Sequence, residues 1–429
     1  MLPRELPKMN TTKKTSLPVS RTFGIVLLLL AGFASAAELP VAKPELVGMS
    51  SERLQRIDDY FQRFVDEGQI SGAVSLVARK GKVVHHSAVG WKYREENIPM
   101  STDTIFTLMS MTKPIVSTAL MMLFEEGHFR LDDPISDWIP EYKDHGVLVS
   151  DGARASVVPE ARPVTFRHVL THTSGLTLSP QDKGLSEGEI AWITNNGKGF
   201  DTLGERVARA AQIPGAFHPG EEWQYGSSTD YVAVLVEKIS GQSIDEFLRE
   251  RIFEPLGMHD THYYVPEAKV DRVAAVYRPV ANGPSELVRP PAVTPAREYF
   301  SGVAGLNGTS SDYFRFAQMI LNGGELDGVR LLGSKTVELM TGNHTDDKYV
   351  YVRGPGYGFG LGFGVLVEPE KSWDFMSRGG YGWGGAYGTL YWADPVEELV
   401  GLMFIQLPGH GPLNIRQRYT NVVTQAIVD

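Results

Sequence analysis

The stretch "FTLMSMTKPIVSTALMMLFEEG", residues 106–127, is an apolar run with a serine and a lysine three positions apart at its start. Ile115, Val116, Ala119, Leu120, Met121, Met122 and Leu123 surround a helical axis, which predicts a buried helix. Pro114 lacks a backbone N–H and fits only near a helix start, and Gly127 can end the helix. Ser110 therefore stands at or beside the N-terminus, with Lys113 on the same face at roughly 5–6 Å between Cβ atoms. A serine hydroxyl is a poor nucleophile until a base takes its proton. Burial and the positive end of a helix dipole both favour a neutral amine that can do so. The same helix end offers the Ser110 backbone N–H to an oxyanion. S-x-x-K alone is a weak motif, because a serine there often serves only as a cap and a lysine is often solvated. Here it occurs once, and it opens the most apolar helix, where a lysine is costly without a reason.

Working outward, "SSERLQRIDDYFQRFVDEGQ" predicts a helix capped by Ser50 or Ser51, and "GAVSLVARKGKVVHHSAVGW" predicts a hairpin turning at Lys80-Gly81. His85 and His86 fall in its second strand, so their rings are expected on opposite faces. Residues 128 to about 290 are rich in turns and short helical patterns, with few convincing strands; "STDYVAVLVEKISG" and "IDEFLRERIFEPLG" are the clearest helices. Beyond residue 300, "SSDYFRFAQMILNGG" reads as a helix. "YGFGLGFGVLVE", "GGAYGTLYWAD" and "ELVGLMFIQL" read as strands, and "NIRQRYTNVVTQAIVD" as a closing helix. Strands at both ends around a helical middle predict an α+β fold. One antiparallel sheet flanked by helices is built from both chain ends (residues 45–127 and 291–429), and an all-helical lobe, residues 128–290, is inserted between them.

The chain has 429 residues, 42% of them hydrophobic and 21% charged, which suits a packed core. A net charge of -10 argues against nucleic acid as the main partner. There is no cysteine, so disulfides, thiolate metal sites and cysteine nucleophiles are excluded. Lys8, Lys13, Lys14 and Arg21 precede a 12-residue apolar stretch, Phe23 to Ala34, and Ala34-Ser35-Ala36 has the form of a cleavage site. A membrane span needs roughly 20 apolar residues. Residues 1–36 are thus expected to be a secretory signal, with the mature protein periplasmic or secreted and no stable span after cleavage.

"MSMTKP" resembles the S-x-x-K of the superfamily of penicillin-binding proteins, class C β-lactamases and family VIII carboxylesterases. "FHPGEEWQYGSSTDY" supplies Tyr225-Gly226-Ser227 where members usually carry Y-x-N. "GGYGWGGAYGTLYWADP" supplies Trp383-Gly384-Gly385, where peptidases and lactamases usually carry K-T-G and family VIII esterases often show W-x-G. "LTHTSGL", residues 170–176, and "EPLGMHDT", residues 254–261, are also similar to family stretches. The resemblance runs from about residue 45 to the end. It implies a β-lactamase/DD-peptidase-like fold and an acyl-enzyme on Ser110, with Lys113 accepting or relaying its proton. Tyr225 would be partner base and then acid to the leaving alkoxide; Lys113 and Tyr225 would titrate as a coupled pair, so neither is singled out as the base. The second oxyanion donor would be the backbone N–H of Ala386, and Ser227, Trp383, Gly384 and Gly385 would contact substrate.

The departures from the pattern bear on substrate. Trp383 puts an apolar wall where K-T-G offers a cation, and a charged hydrogen bond is worth about 1.5–3 kcal/mol. Ser227 removes an amide that could bind an acyl-amide chain. The expectation is a serine carboxylesterase for short-chain acyl esters, with weak β-lactamase activity at most, and with neither cofactor nor metal. The alternatives are a β-lactamase or D-alanyl-D-alanine carboxypeptidase of the same fold, and a non-catalytic binding or sensor module.

Overall fold

Ser50 caps the first long helix, α1 (Ser51–Asp66), by accepting the Arg53 N–H, and Leu54, Ile57, Tyr60, Phe61 and Phe64 form its buried stripe. The structure is a computed structural model and describes residues 39–150, 155–176, 200–281 and 283–429. The segment read as a secretory signal, residues 1–36, lies outside the described residues.

The hairpin around Lys80-Gly81 is β1 (Gly72–Arg79) and β2 (Lys82–Tyr93), followed by the short β3 (Ile98–Pro99). From the other end of the chain come β4 (Tyr357–Phe359), β5 (Gly364–Leu366), β6 (Tyr381–Gly384), β7 (Leu390–Asp394) and β8 (Leu399–Phe404). They form one sheet in the order β4-β5-β6-β7-β8-β1-β2-β3, and β1 pairs antiparallel with β8, Val74 opposite Phe404. "YGFGLGFGVLVE", read as one strand, is two: Gly360 and Gly362, the latter at φ 97, turn the chain between β4 and β5.

The remaining long helices are α2 (Thr112–Glu125), α3 (Ser228–Ser240), α4 (Ser310–Leu321) and α5 (Ile415–Thr424). Successive residues of a strand point to opposite faces, and this locates them. His85 reaches Asp58 of α1, whereas His86 bonds Ser310 of α4 at 3.0 Å. On β7, Trp392 meets Tyr419 of α5, whereas Tyr391 meets Tyr313 of α4. Helices α1 and α5 therefore cover one face and α4 the other. β1 is buried along its whole length, as a strand covered on both faces must be. Helix α2 is buried from Thr112 to Leu123 and packs against α3.

The stretch between residues 128 and 290 contains α3 and shorter helices, and also two hairpins, Gly146–Ser150 with Ala155–Pro159 and Val276–Val280 with Gly283–Arg289. Their strands are short, and Pro159 and Pro279 interrupt the β-branched pattern that would have marked them. Among the described residues no helix is long and apolar enough to cross a membrane.

Burial makes the fold acid-sensitive. It pushes His86, His168, His262 and His410 down to about 4 each, with neighbouring basic groups (His85, Arg162, Lys269 and Arg416 respectively) acting in the same direction. Folded-state values below the ordinary histidine value mean stability complete above about pH 6.5 and lost as pH falls through about 4. Asp312, raised to about 6 by burial, acts oppositely, its contribution being lost as pH rises through about 6. Burial likewise lowers His85, His172 and His344 and raises Asp230, Glu237 and Asp245, so among the described residues seven histidines stand against four carboxyls. The balance predicts a melting temperature that falls between pH 6.5 and 4, and His86→Gln should flatten that slope. Calorimetry across this range checks it; an unchanged midpoint contradicts it.

Candidate active site

Ser110 lies in a single tight turn, Met109–Met111, that feeds directly into α2. Met109 is held at φ 51, a left-handed conformation that costs a non-glycine residue energy and recurs at functional turns. The turn is pinned from several sides. The Tyr313 hydroxyl donates to Met111 O at 2.9 Å, the Thr389 hydroxyl donates to Leu108 O at 3.1 Å, and the Leu306 N–H donates to Thr112 Oγ1 at 3.1 Å.

Lys113 is buried, and its Nζ lies 3.1 Å from Ser110 Oγ and 3.0 Å from Val303 O. Helical spacing explains the first contact; the second comes from a loop nearly two hundred residues later. The same nitrogen also faces the ring of Tyr225, 4.7 Å from its centroid. Hydrogen bonds and a ring face are what a buried lysine needs. Behind it, Asp230 of α3 accepts from Ser301 Oγ at 3.0 Å and from the Val303 N–H at 3.2 Å, and so fixes the loop that carries Val303 O. Burial raises the Asp230 carboxyl, against the pull of Arg206 and Ser301.

Tyr225 stands just ahead of α3. Its hydroxyl accepts a hydrogen bond from Trp383 Nε1 at 3.2 Å, which leaves its own O–H hydrogen available to another acceptor. Trp383 is thus more than the apolar wall expected from sequence: its ring walls the cleft and its N–H orients the phenol. His172, Trp223 and Phe359 complete an aromatic shell, with His172 5.0 Å and Trp223 6.2 Å from the Tyr225 ring. Burial, reinforced by Lys113, holds His172 well below the usual histidine range, so its ring is neutral. Its Nδ1 has no hydrogen-bond partner among the described residues, and its φ is 59.

Strand β6 brings the W-G-G to the serine. A Cβ on Gly385 would overlap both Leu108 O and Thr389 Oγ1, so the strand end lies directly against the turn that carries Ser110. Arg416 of α5 donates to Gly385 O and, at 2.9 Å, to Thr389 O, fixing the turn after β6. Ala386 is exposed on that turn, and its N–H has no partner among the described residues. Ser110, Lys113, Tyr225, Trp383, Gly384, Gly385 and Ala386 thus converge from three separated parts of the sequence. Ser227, the residue just before α3, is buried.

A hydroxyl against a buried amine, a phenol beside them and a glycine strand end against the serine turn form one constellation. The β-lactamase family model matches residues 57–424. The chain belongs to the β-lactamase family. Two relatives match over most of their length. An esterase, EstB of Burkholderia gladioli, is 32% identical over 85% of this chain and 93% of its own length. An uncharacterized protein of Mycobacterium tuberculosis is 35% identical over 80% of this chain and 87% of its own. Among solved structures, EstCE1, a hydrolase with promiscuous acyltransferase activity, superposes with a TM-score of 0.72 at 26% identity, covering 88% of this chain and 99% of that one. The β-lactamase family member described here is a serine hydrolase.

His172 and Asp230 lie within the quoted stretches "LTHTSGL" and "STDYVAVLVEKISG", but sequence alone assigns neither a role. A signal was available for Asp230, an acid directly ahead of the apolar run Tyr231–Val236 of α3. Val303 O, a backbone atom, carries no sequence signal. Gly184-Leu185-Ser186-Glu187-Gly188 has the form of a G-x-S-x-G nucleophile elbow, but it lies outside the described residues. A cavity of about 250 Å³ is bordered by Thr107, Tyr299, Ser301 and Asn307, and neither Ser110, Lys113, Tyr225 nor Trp383 lines it. Among the described residues no grouping of three or more His, Asp or Glu is arranged to hold a metal.

Proposed function

We propose that this protein is a carboxylesterase of short-chain acyl esters that works through an acyl-enzyme on Ser110. The Lys113–Tyr225 pair takes the proton of the Ser110 hydroxyl, and its oxygen attacks the ester carbonyl carbon. The carbonyl oxygen, now an oxyanion, is met by the N–H groups of Ser110 and Ala386. The tetrahedral centre collapses, the alcohol oxygen leaves, and Tyr225 returns the proton to it. Water then enters, gives up a proton to the same pair, and releases the acid and the free serine.

The observation that carries the reading against β-lactams and peptides is Trp383. It is buried, its N–H is committed to Tyr225, and it occupies the position from which a lysine would meet a substrate carboxylate. The esterase EstB and the hydrolase EstCE1 among its relatives support the same reading. The N-terminal segment supports export, with the enzyme acting in the periplasm or outside the cell.

The test compares p-nitrophenyl acetate and butyrate with nitrocefin on the purified enzyme. Esters are expected to be turned over with kcat/KM at least about tenfold higher, one lost charged hydrogen bond being worth that much. Faster turnover of nitrocefin reverses the assignment. Failure of a fluorophosphonate probe to label Ser110 removes the acyl-enzyme altogether.

A further inference from the structure

Exposed aromatic side chains are not scattered over this protein. Among the described residues, all four large aromatics that stand exposed, Tyr349, Tyr351, Trp373 (63%) and Phe375 (69%), fall on two loops, residues 342–356 and 367–380. Val352, also exposed, lies between them in sequence. Single exposed apolar residues need no explanation, but a clustered set does.

The two loops are built as one platform. The N–H groups of Val367 and Glu368 both donate to Gly356 O, at 2.9 and 3.0 Å. Gly354 and Gly356 have φ values of 95 and 83, and both approaches are too close for a larger residue. A Cβ on Gly356 would overlap Glu368 O, and one on Gly354 would stand 3.0 Å from the Trp373 ring. Beneath, the Tyr357 hydroxyl donates to Asp374 at 2.6 Å, and the buried Arg353 guanidinium donates to the Tyr357 hydroxyl at 2.8 Å and pairs with Asp374 at 3.4 Å. The aromatics therefore project from a fixed backbone, which lowers the ordering cost a ligand would meet.

One residue joins this platform to the cleft. Tyr351 accepts the backbone N–H of Tyr225 at 3.1 Å, and its ring meets Trp223 edge-on at 5.2 Å. The patch thus opens from Tyr225 and not from the Ser110 turn.

We propose that Tyr349, Tyr351, Trp373 and Phe375 form an outer subsite that receives an aryl or similarly bulky apolar group on the alcohol side of the ester. The assignment of side rests on the function proposed above, in which Tyr225 faces the leaving alcohol. The cation beneath the platform, Arg353, is paired with Asp374, so the subsite suits a neutral group.

Two acetate esters with alcohols of similar acidity test this, propyl acetate and 3-phenylpropyl acetate, followed by proton release at constant pH. The wild-type enzyme is expected to favour the phenylpropyl ester at least tenfold in kcat/KM. Trp373→Ala combined with Phe375→Ala should cut that preference at least fivefold, and Trp373→Phe should restore part of it. No preference in the wild type, or a preference untouched by the double substitution, overturns the subsite. Equilibrium titration with 3-phenylpropan-1-ol reads the subsite without turnover: binding weakened at least fivefold by the double substitution supports it, and equal binding overturns it. Loss of turnover of both esters, with alcohol binding still dependent on the platform, sinks the esterase reading and leaves the subsite standing. Light scattering that shows the double substitution dissolving a dimer, with preference and alcohol binding unchanged, gives the patch to a second copy of the chain and overturns the proposal.

Discussion

Ser110→Ala is expected to lower kcat/KM for p-nitrophenyl butyrate by about four orders of magnitude or more, the scale at which removal of an activated nucleophile is felt. Lys113→Met should cost nearly as much, and the double substitution little more than either single one, because the two groups act as a unit. Stability separates the chemistry from the packing. Lys113 is a buried amine held by Ser110 Oγ and Val303 O. A buried amine is costly to hold away from water, whereas an apolar chain of similar length is not. Activity should therefore collapse in Lys113→Met while the melting temperature holds or rises. If Ser110→Ala retains activity within tenfold of the parent, the acyl-enzyme on Ser110 is refuted; if Lys113→Met does, Lys113 is not part of the proton-accepting pair.

The second large effect is expected at a residue that has no side chain. Gly385→Ala adds one carbon where Leu108 O and Thr389 Oγ1 already stand, and neither can move independently of the site. Leu108 precedes the Ser110 turn by one residue, and the Thr389 hydroxyl is bonded to Leu108 O. The new methyl must push the Ala386 N–H away from the serine or displace the turn itself. Loss of one oxyanion donor costs about 10²- to 10³-fold in kcat, and a misplacement of about 1 Å costs on the order of 10²-fold. A kcat reduced about a hundredfold with KM nearly unchanged is expected. Gly411→Ala, with nothing within 4 Å of the added carbon, is the control and should leave the kinetics as they are. A parental kcat in Gly385→Ala would mean that this strand end does not position the oxyanion hole.

What could be read from sequence followed the range of the interactions involved. Ser110 and Lys113 are separated by one helical turn, so local geometry alone predicts their contact. The β1–β2 hairpin, α1 and its Ser50 cap, and α5 were likewise legible, since periodicity and turn residues are local signals. Tyr225 and Trp383 were found only through motif order, because nothing local tells a phenol or an indole that it will meet a lysine. Their mutual hydrogen bond escaped notice for a related reason: a tryptophan in a strand reads as apolar surface, and the direction of its N–H is decided by a residue from another part of the chain. Val303 O and the left-handed turn at Met109 are backbone features whose side chains carry no hint of them. The hairpins between residues 128 and 290 were obscured by prolines and by their shortness, and the exposed aromatics of residues 349–375 by the absence of any alternation in a loop.

The pairing of β1 with β8 sets the order of events when this protein is made. Strand β1, interior to the sheet, has no neighbour on one side until Phe404 has left the ribosome, since Val74 pairs with it directly. Helix α1 likewise waits for α5, which supplies Tyr419 to Phe61 and Ile415 O to the Tyr60 hydroxyl. A nascent chain therefore carries an open, apolar strand edge through almost its whole synthesis, a state that is slow to close and prone to aggregate. Chaperone demand during production should be correspondingly high, and truncation at the carboxyl end should be far more damaging than its distance from Ser110 in sequence suggests.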